Sequence, residues 1–191
     1  MPDAAYDLQY LKAGMGLLES YLFSQDVYWT IQASPPPGEP AYPSLTLGGL
    51  LLAQARLNST ELSDELRGER DHLRLDFGTL QTRWRVAWEK KAAREFHARL
   101  NLWRDYLEEY RANPKSNADR YSYEVGRRVM LDLLEPFARD VPLAEKEMLR
   151  GLDSLLRSVF LPDGFIWEDW LKSAFPAQPY WYLYGSLRDT L

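Results

Sequence analysis

The strongest structural signal in the sequence is the run over residues 80–112, LQTRWRVAWEKKAAREFHARLNLWRDYLEEYRA. Its apolar side chains recur at steps of three and four residues, which places them on one face of an α-helix. They are Leu80, Trp84, Trp88, Ala92, Phe96, Leu100, Trp103, Leu107 and Tyr110. No proline or glycine occurs within the run, and Asn113-Pro114 ends it. The pattern predicts one long central helix over about residues 79–112, with Trp84 and Trp88 facing the core.

Helical periodicity continues on both sides of this run, whereas the alternation typical of strands is absent. Five of the 12 prolines fall within residues 35–43, so residues 34–43 are expected to form a polyproline-like loop. The sequence therefore predicts a single all-α domain over residues 1–191, a helical bundle of about five to seven helices. The predicted flanking helices cover residues 4–24, 44–57, 58–75, 121–137, 142–160 and 167–174.

Several helix boundaries follow from local signals. Ser44 is the expected N-cap of the second helix, and Asn58 with Glu61 resembles the capping box of a third. Residues 77–79 are expected to interrupt that third helix before the long one begins, because they include a glycine. Residues 115–119 are expected to form a polar turn.

The composition excludes several kinds of catalytic site. The 191 residues include no cysteine and two histidines, but 7 Trp, 12 Tyr and 7 Phe. Disulfides, thiol nucleophiles, cysteine zinc sites and three-histidine metal sites within one chain are thereby excluded. The nucleophile-elbow, Walker A and dinucleotide-binding glycine motifs are also absent. We expect no cofactor, and the composition favours a protein that is not an enzyme.

One short motif suggests a metal site. Glu69 and His72 are three residues apart, which places both side chains on one face of a helix, as in di-iron carboxylate bundles. The second unit of such a site is missing, because Arg94 precedes His97 by three residues. A mononuclear site of Glu69, His72 and His97 requires their two helices to face each other. The alternative is that both histidines form ordinary ion pairs on polar faces.

Basic residues are concentrated in the middle of an acidic chain. Residues 67–104 carry 10 basic and 5 acidic groups, a charge of +5, whereas the whole chain carries −5. Arg83, Lys90, Lys91 and Arg94 form a candidate anion-binding face on the long helix. Basic side chains interleaved with tryptophans are also typical of nucleic-acid binding. The pI of about 5.2 argues against a nucleic acid as the partner.

Two further groups of polar residues could lie on the surface or in a more enclosed site. Glu95 and Arg99 form an i,i+4 pair in the favourable order, which is typical of a solvated helix face. Tyr121, Tyr123 and Glu124 beside Arg127-Arg128 can line a polar pocket or form an ion-pair cluster at the start of a helix.

The aromatic residues are densest near the end of the chain, where eight fall within residues 165–184. A cluster of this kind is typical of an interaction face, and the aromatic C-terminal segment over residues 165–187 is a candidate for one. The alternative is a segment that packs onto the bundle and holds it together. Deleting residues 176–191 distinguishes the two. The candidate interaction residues are Trp167, Trp170, Tyr180, Trp181, Tyr182 and Tyr184.

These observations predict a protein that works through contacts. The N-terminus lacks the basic and apolar regions of a secretory signal, and the most apolar run, residues 45–55, is too short to cross a membrane. We therefore expect a cytoplasmic interaction or scaffold protein that forms a homo-oligomer or binds a protein partner. The alternatives are an enzyme that binds a metal or small ligand within the bundle, and a nucleic-acid binder that uses the basic face.

Overall fold

A computed structural model describes residues 4–190 and confirms the all-α bundle. The described residues form seven α-helices and one pair of short strands. The helices are α1 (Ala4–Phe23), α2 (Leu47–Ser59), α3 (Asp64–Arg83), α4 (Arg85–Ala112), α5 (Pro114–Asn117), α6 (Tyr121–Leu134) and α7 (Leu143–Val159). The strands are β1 (Phe160–Pro162) and β2 (Gly185–Leu187).

Helix α4 is the central element, and it packs against α1, α2, α3, α6 and α7. Its apolar stripe lies in the core as predicted, with Trp88, Phe96 and Trp103 almost fully buried. The predicted start of this helix at about residue 79 is wrong. Trp84 leaves helical geometry with φ −110° and ψ 31°, so α3 ends at Arg83 and α4 begins at Arg85.

The predicted interruption at residues 77–79 is also wrong, because α3 runs through them. Phe77 packs edge-on against Trp88 with ring centroids 4.9 Å apart, and Trp84 packs edge-on against Phe23 at the same separation. The helices separate at Trp84, which lies in sequence between the contacting residues Phe77 and Trp88. Packing between distant parts of the chain overrides the local glycine signal at this point.

The first two helices pack closely because of a glycine. A Cβ atom at Gly14 of α1 would lie 2.6 Å from Leu50 Cδ2 and 3.0 Å from Leu45 Cδ1. The bare backbone at this position lets α1 and α2 approach within the width of one side chain. Residues 34–43 form the predicted loop between them.

Several predicted boundaries need correction. Thr46, rather than Ser44, caps α2, because its Oγ1 accepts a hydrogen bond from the Gly49 amide at 2.9 Å. Ser63 caps α3, whereas Asn58 lies inside α2. Residues 115–119, predicted as a polar turn, belong to α5 and the single 3-10 turn that follows it. Helix α6 ends at Leu134 instead of continuing to residue 137.

The C-terminal part of the chain packs back onto the bundle. Strands β1 and β2 pair antiparallel, with Phe160 opposite Leu187, and the predicted helix over residues 167–174 is reduced to a single 3-10 turn at Asp169–Leu171. Tyr121 Oη of α6 donates a hydrogen bond to the Tyr182 carbonyl at 2.6 Å. Between residues 4 and 190, no helix has both the length and the apolar character needed to cross a membrane.

Candidate functional site

The residues predicted to bind an anion surround one cavity. It has a volume of about 570 Å³ and lies between the end of α1 and the break between α3 and α4. All four predicted residues line it, and Arg85 joins them as a fifth cation. The five basic lining residues are Arg83, Arg85, Lys90, Lys91 and Arg94.

The break at Trp84 helps to gather these cations. Arg83 is the last residue of α3 and Arg85 is the first of α4, so both lie at the junction. Lys90 and Lys91 precede Arg94 by four and three residues, which places all three on neighbouring rows of α4. The two helices thus bring basic side chains to one concave surface, and the end of α1 forms another wall of it.

The N-terminus of α4 adds positive potential to the cavity. Trp84 provides no side-chain cap for this helix, and first-turn residues Arg85, Val86 and Ala87 all line the cavity. The first amide groups of a helix lack intrahelical acceptors and carry the positive end of its dipole. An anion in the cavity would therefore meet backbone donors as well as basic side chains.

Within residues 4–190, no carboxylate in the lining offsets this charge. Among the described residues, the lining includes no aspartate or glutamate. Over the same part of the chain, none of the five lining cations forms an ion pair. Arg83, Arg85, Lys90 and Arg94 are exposed, so their charged groups are accessible to a ligand.

Lys91 differs from the other four because it is buried. Its Nζ donates hydrogen bonds to the Ser24 carbonyl at 2.9 Å, to Ser24 Oγ at 3.0 Å and to the Asp26 carbonyl at 2.8 Å. The ammonium also lies 4.2 Å from the centre of the Tyr21 ring. Lys91 therefore holds the end of α1 against α4 and forms one wall of the cavity. Burial, with a smaller contribution from Arg94, lowers the pKa of Lys91 to about 8.

The lowered pKa of Lys91 predicts a pH-dependent affinity. Sulfate keeps its charge between about pH 6.5 and about pH 9.5, whereas Lys91 loses its proton as the pH rises through its pKa. We expect sulfate affinity to fall about threefold to fivefold over this range, measured by isothermal titration calorimetry. The fall should disappear in Lys91→Met. It should persist in Lys90→Met, which replaces an exposed neighbouring lysine. A pH-independent affinity in the unmodified protein would contradict this prediction.

The cavity also has an aromatic wall. Phe23 and Trp84 line it, and 57% of Phe23 is exposed. Arg83 lies 4.9 Å from the centre of the Trp84 ring, which holds its guanidinium near the cavity. The site thus offers an apolar surface beside its cations.

The three predicted metal ligands are not brought together. Glu69 Oε1 pairs with Lys12 Nζ of α1 at 2.8 Å, and His72 Nε2 pairs with Asp76 of its own helix at 3.4 Å. His97 Nδ1 lies 2.8 Å from Glu145 Oε1 of α7. Residues 4–190 contain no group of three or more His, Asp or Glu side chains that could hold a metal ion. The structure therefore does not assemble the predicted metal site and gives each of these residues a separate polar partner.

Most of the predicted interaction residues pack against the bundle. Tyr182 is fully buried, and Trp167, Tyr180, Trp181 and Tyr184 are partly buried against the core. Of the six predicted residues, only Trp170 is exposed, at 37%. The segment therefore fits the alternative of a packed C-terminal element.

The Glu95–Arg99 pair is buried, so its predicted location on a solvated face is wrong. Glu95 Oε1 accepts hydrogen bonds from Arg99 Nε at 2.6 Å and from the Gly48 amide at 3.0 Å. Arg99 Nη2 also donates to Thr46 Oγ1 at 2.8 Å. Residues 95 and 99 lie beside the apolar stripe of α4. Their closeness to the stripe could have predicted that they are buried.

Comparisons with protein-family models, with curated protein sequences and with solved structures found no match to this chain.

Proposed function

We propose that this protein binds a small phosphate-bearing ligand in the basic cavity. The observation that carries the proposal is the convergence of five cations and the uncapped N-terminus of α4 on one cavity whose described lining has no carboxylate. Charge-assisted hydrogen bonds from arginine, lysine and helix amides are the usual means of holding phosphate. Inorganic pyrophosphate is the simplest probe of this chemistry.

The size and shape of the cavity favour a small molecule over a nucleic acid. Its volume of about 570 Å³ lies within the range of small-ligand pockets, roughly 300–1,000 Å³. A nucleic acid is held by cations spread along a groove, whereas these cations surround one concavity in a chain of net charge −5. Phe23 and Trp84 would contact an apolar or ring-bearing part of the ligand.

Binding without chemical conversion is the activity that this lining supports best. The described lining residues include no histidine, aspartate or glutamate that could act as a general base. The Lys91 amine is occupied by three acceptors. Self-association and binding of a protein partner, predicted from the aromatic segment, remain predictions.

The double variant Arg85→Gln/Arg94→Gln tests the proposed site. Each charge-assisted contact contributes about 1.5 kcal/mol or more, so we expect pyrophosphate affinity to fall by at least about tenfold. Both side chains are exposed, so the variant should remain folded. Isothermal titration calorimetry at low salt measures the affinity, and circular dichroism checks the fold.

Arg111→Gln is the matched control, because Arg111 is exposed on the same helix and does not line the cavity. It should bind pyrophosphate like the unmodified protein. Equal affinity in the double variant, or no saturable binding by any form of the protein, would refute the proposal. Stronger binding of a single-stranded oligonucleotide than of pyrophosphate would instead support the nucleic-acid alternative.

A further inference from the structure

A second cavity of about 570 Å³ lies elsewhere in the bundle, and it shares no lining residue with the basic cavity. Residues from α1, α2, α4 and α6 line it, together with the loop before α2 and Trp167. Its wall includes four tyrosines, Tyr6, Tyr10, Tyr28 and Tyr123. Leu52, Leu102 and Met130 complete an apolar surface of the kind that holds flat organic ligands.

Three arginines line this cavity, and a buried carboxylate holds each of them. Arg56 Nε donates to Asp7 Oδ2 at 2.8 Å, Arg99 Nε donates to Glu95 Oε1 at 2.6 Å, and Arg127 pairs with Glu124. Asp7, Glu95 and Glu124 are each at most 2% exposed. None of these three carboxylates lines the cavity, whereas all three arginines do.

Each guanidinium keeps donor capacity for a ligand. Arg56 and Arg99 use Nε and Nη2 in their hydrogen bonds, and Arg127 uses Nη1. The remaining Nη atom of each arginine forms no hydrogen bond within residues 4–190. A buried carboxylate behind each arginine fixes its orientation and offsets its charge. The site is therefore suited to an acceptor that carries one negative charge, and less suited to a dianion such as phosphate.

We infer that this second cavity is a binding site for a planar aromatic carboxylic acid. The aromatic rings would stack on the flat part of the ligand. The carboxylate would accept hydrogen bonds from the arginine Nη atoms that form none within residues 4–190. The planar guanidinium favours this pairing. The structure separates the residues that were predicted to line a polar pocket or form an ion-pair cluster, which are Tyr121, Tyr123, Glu124, Arg127 and Arg128. Tyr123 and Arg127 line the cavity, whereas Glu124 accepts a hydrogen bond from Arg120 at 2.8 Å.

Gly126 provides a way to close the cavity without removing a charge. It lies within α6 and lines the cavity, and a Cβ atom built there meets only Trp167 Cζ2, at 4.0 Å. The side chain of Gly126→Leu would therefore extend into the cavity. Leucine is also a better helix former than glycine, so the variant should remain folded. Gly151→Leu is the matched control, because Gly151 lies within α7 with open space around it.

The experiment is calorimetric titration with 2-naphthoate and with its neutral analogue 2-naphthamide. We expect 2-naphthoate to bind at least about tenfold more tightly than the amide, because only the acid pairs with the arginines. Binding of the acid should be lost in Gly126→Leu and retained in Gly151→Leu. Arg127→Gln should weaken binding of the acid and leave binding of the amide unchanged. Glu124 keeps Arg120 as its partner in this variant.

Two results would overturn the inference. Equal affinity for the acid and the amide would show that the arginines do not recognise a carboxylate. Unchanged binding of the acid in Gly126→Leu would show that the ligand lies outside this cavity. Pyrophosphate affinity in Gly126→Leu should equal that of the unmodified protein, so a failure of this inference is distinguishable from a failure of the proposed function.

Discussion

Replacing Arg128 with alanine is expected to lower the free energy of unfolding by about 3–5 kcal/mol. Arg128 of α6 is 7% exposed. Its Nε and Nη2 donate to the two carboxylate oxygens of Asp153 in α7, at 2.8 and 2.9 Å. Its Nη1 pairs with Asp132, one turn further along α6. The substitution would leave two largely enclosed carboxylates without their shared cation.

The same arginine also connects the helices to the C-terminal segment. Its guanidinium carbon lies 4.9 Å from the centre of the buried Tyr182 ring, and Tyr182 Oη donates to Asp132 Oδ2 at 2.6 Å. Burial and the nearby Asp132 charge raise the pKa of Tyr182 well above its ordinary value, so its hydroxyl stays a donor. Loss of Arg128 should therefore loosen α6, α7 and the C-terminal segment together.

Urea denaturation monitored by circular dichroism measures this effect. Arg104→Ala is the matched control, because Arg104 lies on the surface of α4 with Asp105 and Glu108 as partners. Exposed pairs of this kind contribute about 0–1 kcal/mol. Arg128→Lys should recover only part of the loss, because lysine cannot form the two parallel hydrogen bonds. A loss below about 1 kcal/mol in Arg128→Ala would contradict the structural role assigned to this network.

Periodicity was sufficient to predict the central helix but not its start. The apolar stripe of α4 is long and strictly spaced, so burial of Trp88 and Trp103 followed from the sequence. At the break, Trp84 packs against Phe23, which lies about 60 residues earlier in the chain. No glycine or proline marks that position. Local rules therefore placed the break several residues too early.

For the basic cavity, the sequence likewise predicted the residues but not the shape of the site. The charge pattern predicted that Arg83, Lys90, Lys91 and Arg94 form an anion-binding face. It could not predict a concave site, because one wall is the end of α1, more than 50 residues earlier in the chain. The hydrogen bonds from Lys91 to Ser24 and Asp26 that join these parts are tertiary contacts. No spacing rule reports such contacts.

The C-terminal strands and the second cavity were missed for a related reason. Each strand has three residues, too few to show an alternating pattern, and β1 is stabilised by a partner more than 20 residues away. The second cavity is built from several helices and a loop. Of its three arginines, only Arg127 was predicted to line a pocket, because Arg56 and Arg99 carry no local sign that they face a common space.

The second large effect is expected from deleting residues 176–191, which should abolish cooperative folding. This segment contains Tyr182, Leu183 and Leu187, each at most 4% exposed. Burying a large apolar side chain contributes about 1.5–3 kcal/mol. Three such residues therefore account for a stabilisation comparable to the whole free energy of unfolding of a typical domain, about 5–15 kcal/mol. The deletion also removes β2, the partner of β1.

Two buried tyrosines would lose their acceptors in the same deletion. Tyr121 Oη donates to the Tyr182 carbonyl at 2.6 Å, and Tyr110 Oη donates to the Arg188 carbonyl at 2.8 Å. Deleting only residues 189–191 keeps both acceptors and removes the exposed Asp189 and Thr190, so this shorter deletion should unfold like the full chain. Near-ultraviolet circular dichroism and thermal melts compare the three proteins. If the chain without residues 176–191 melts cooperatively as a monomer, the segment acts as an interface and not as part of the core.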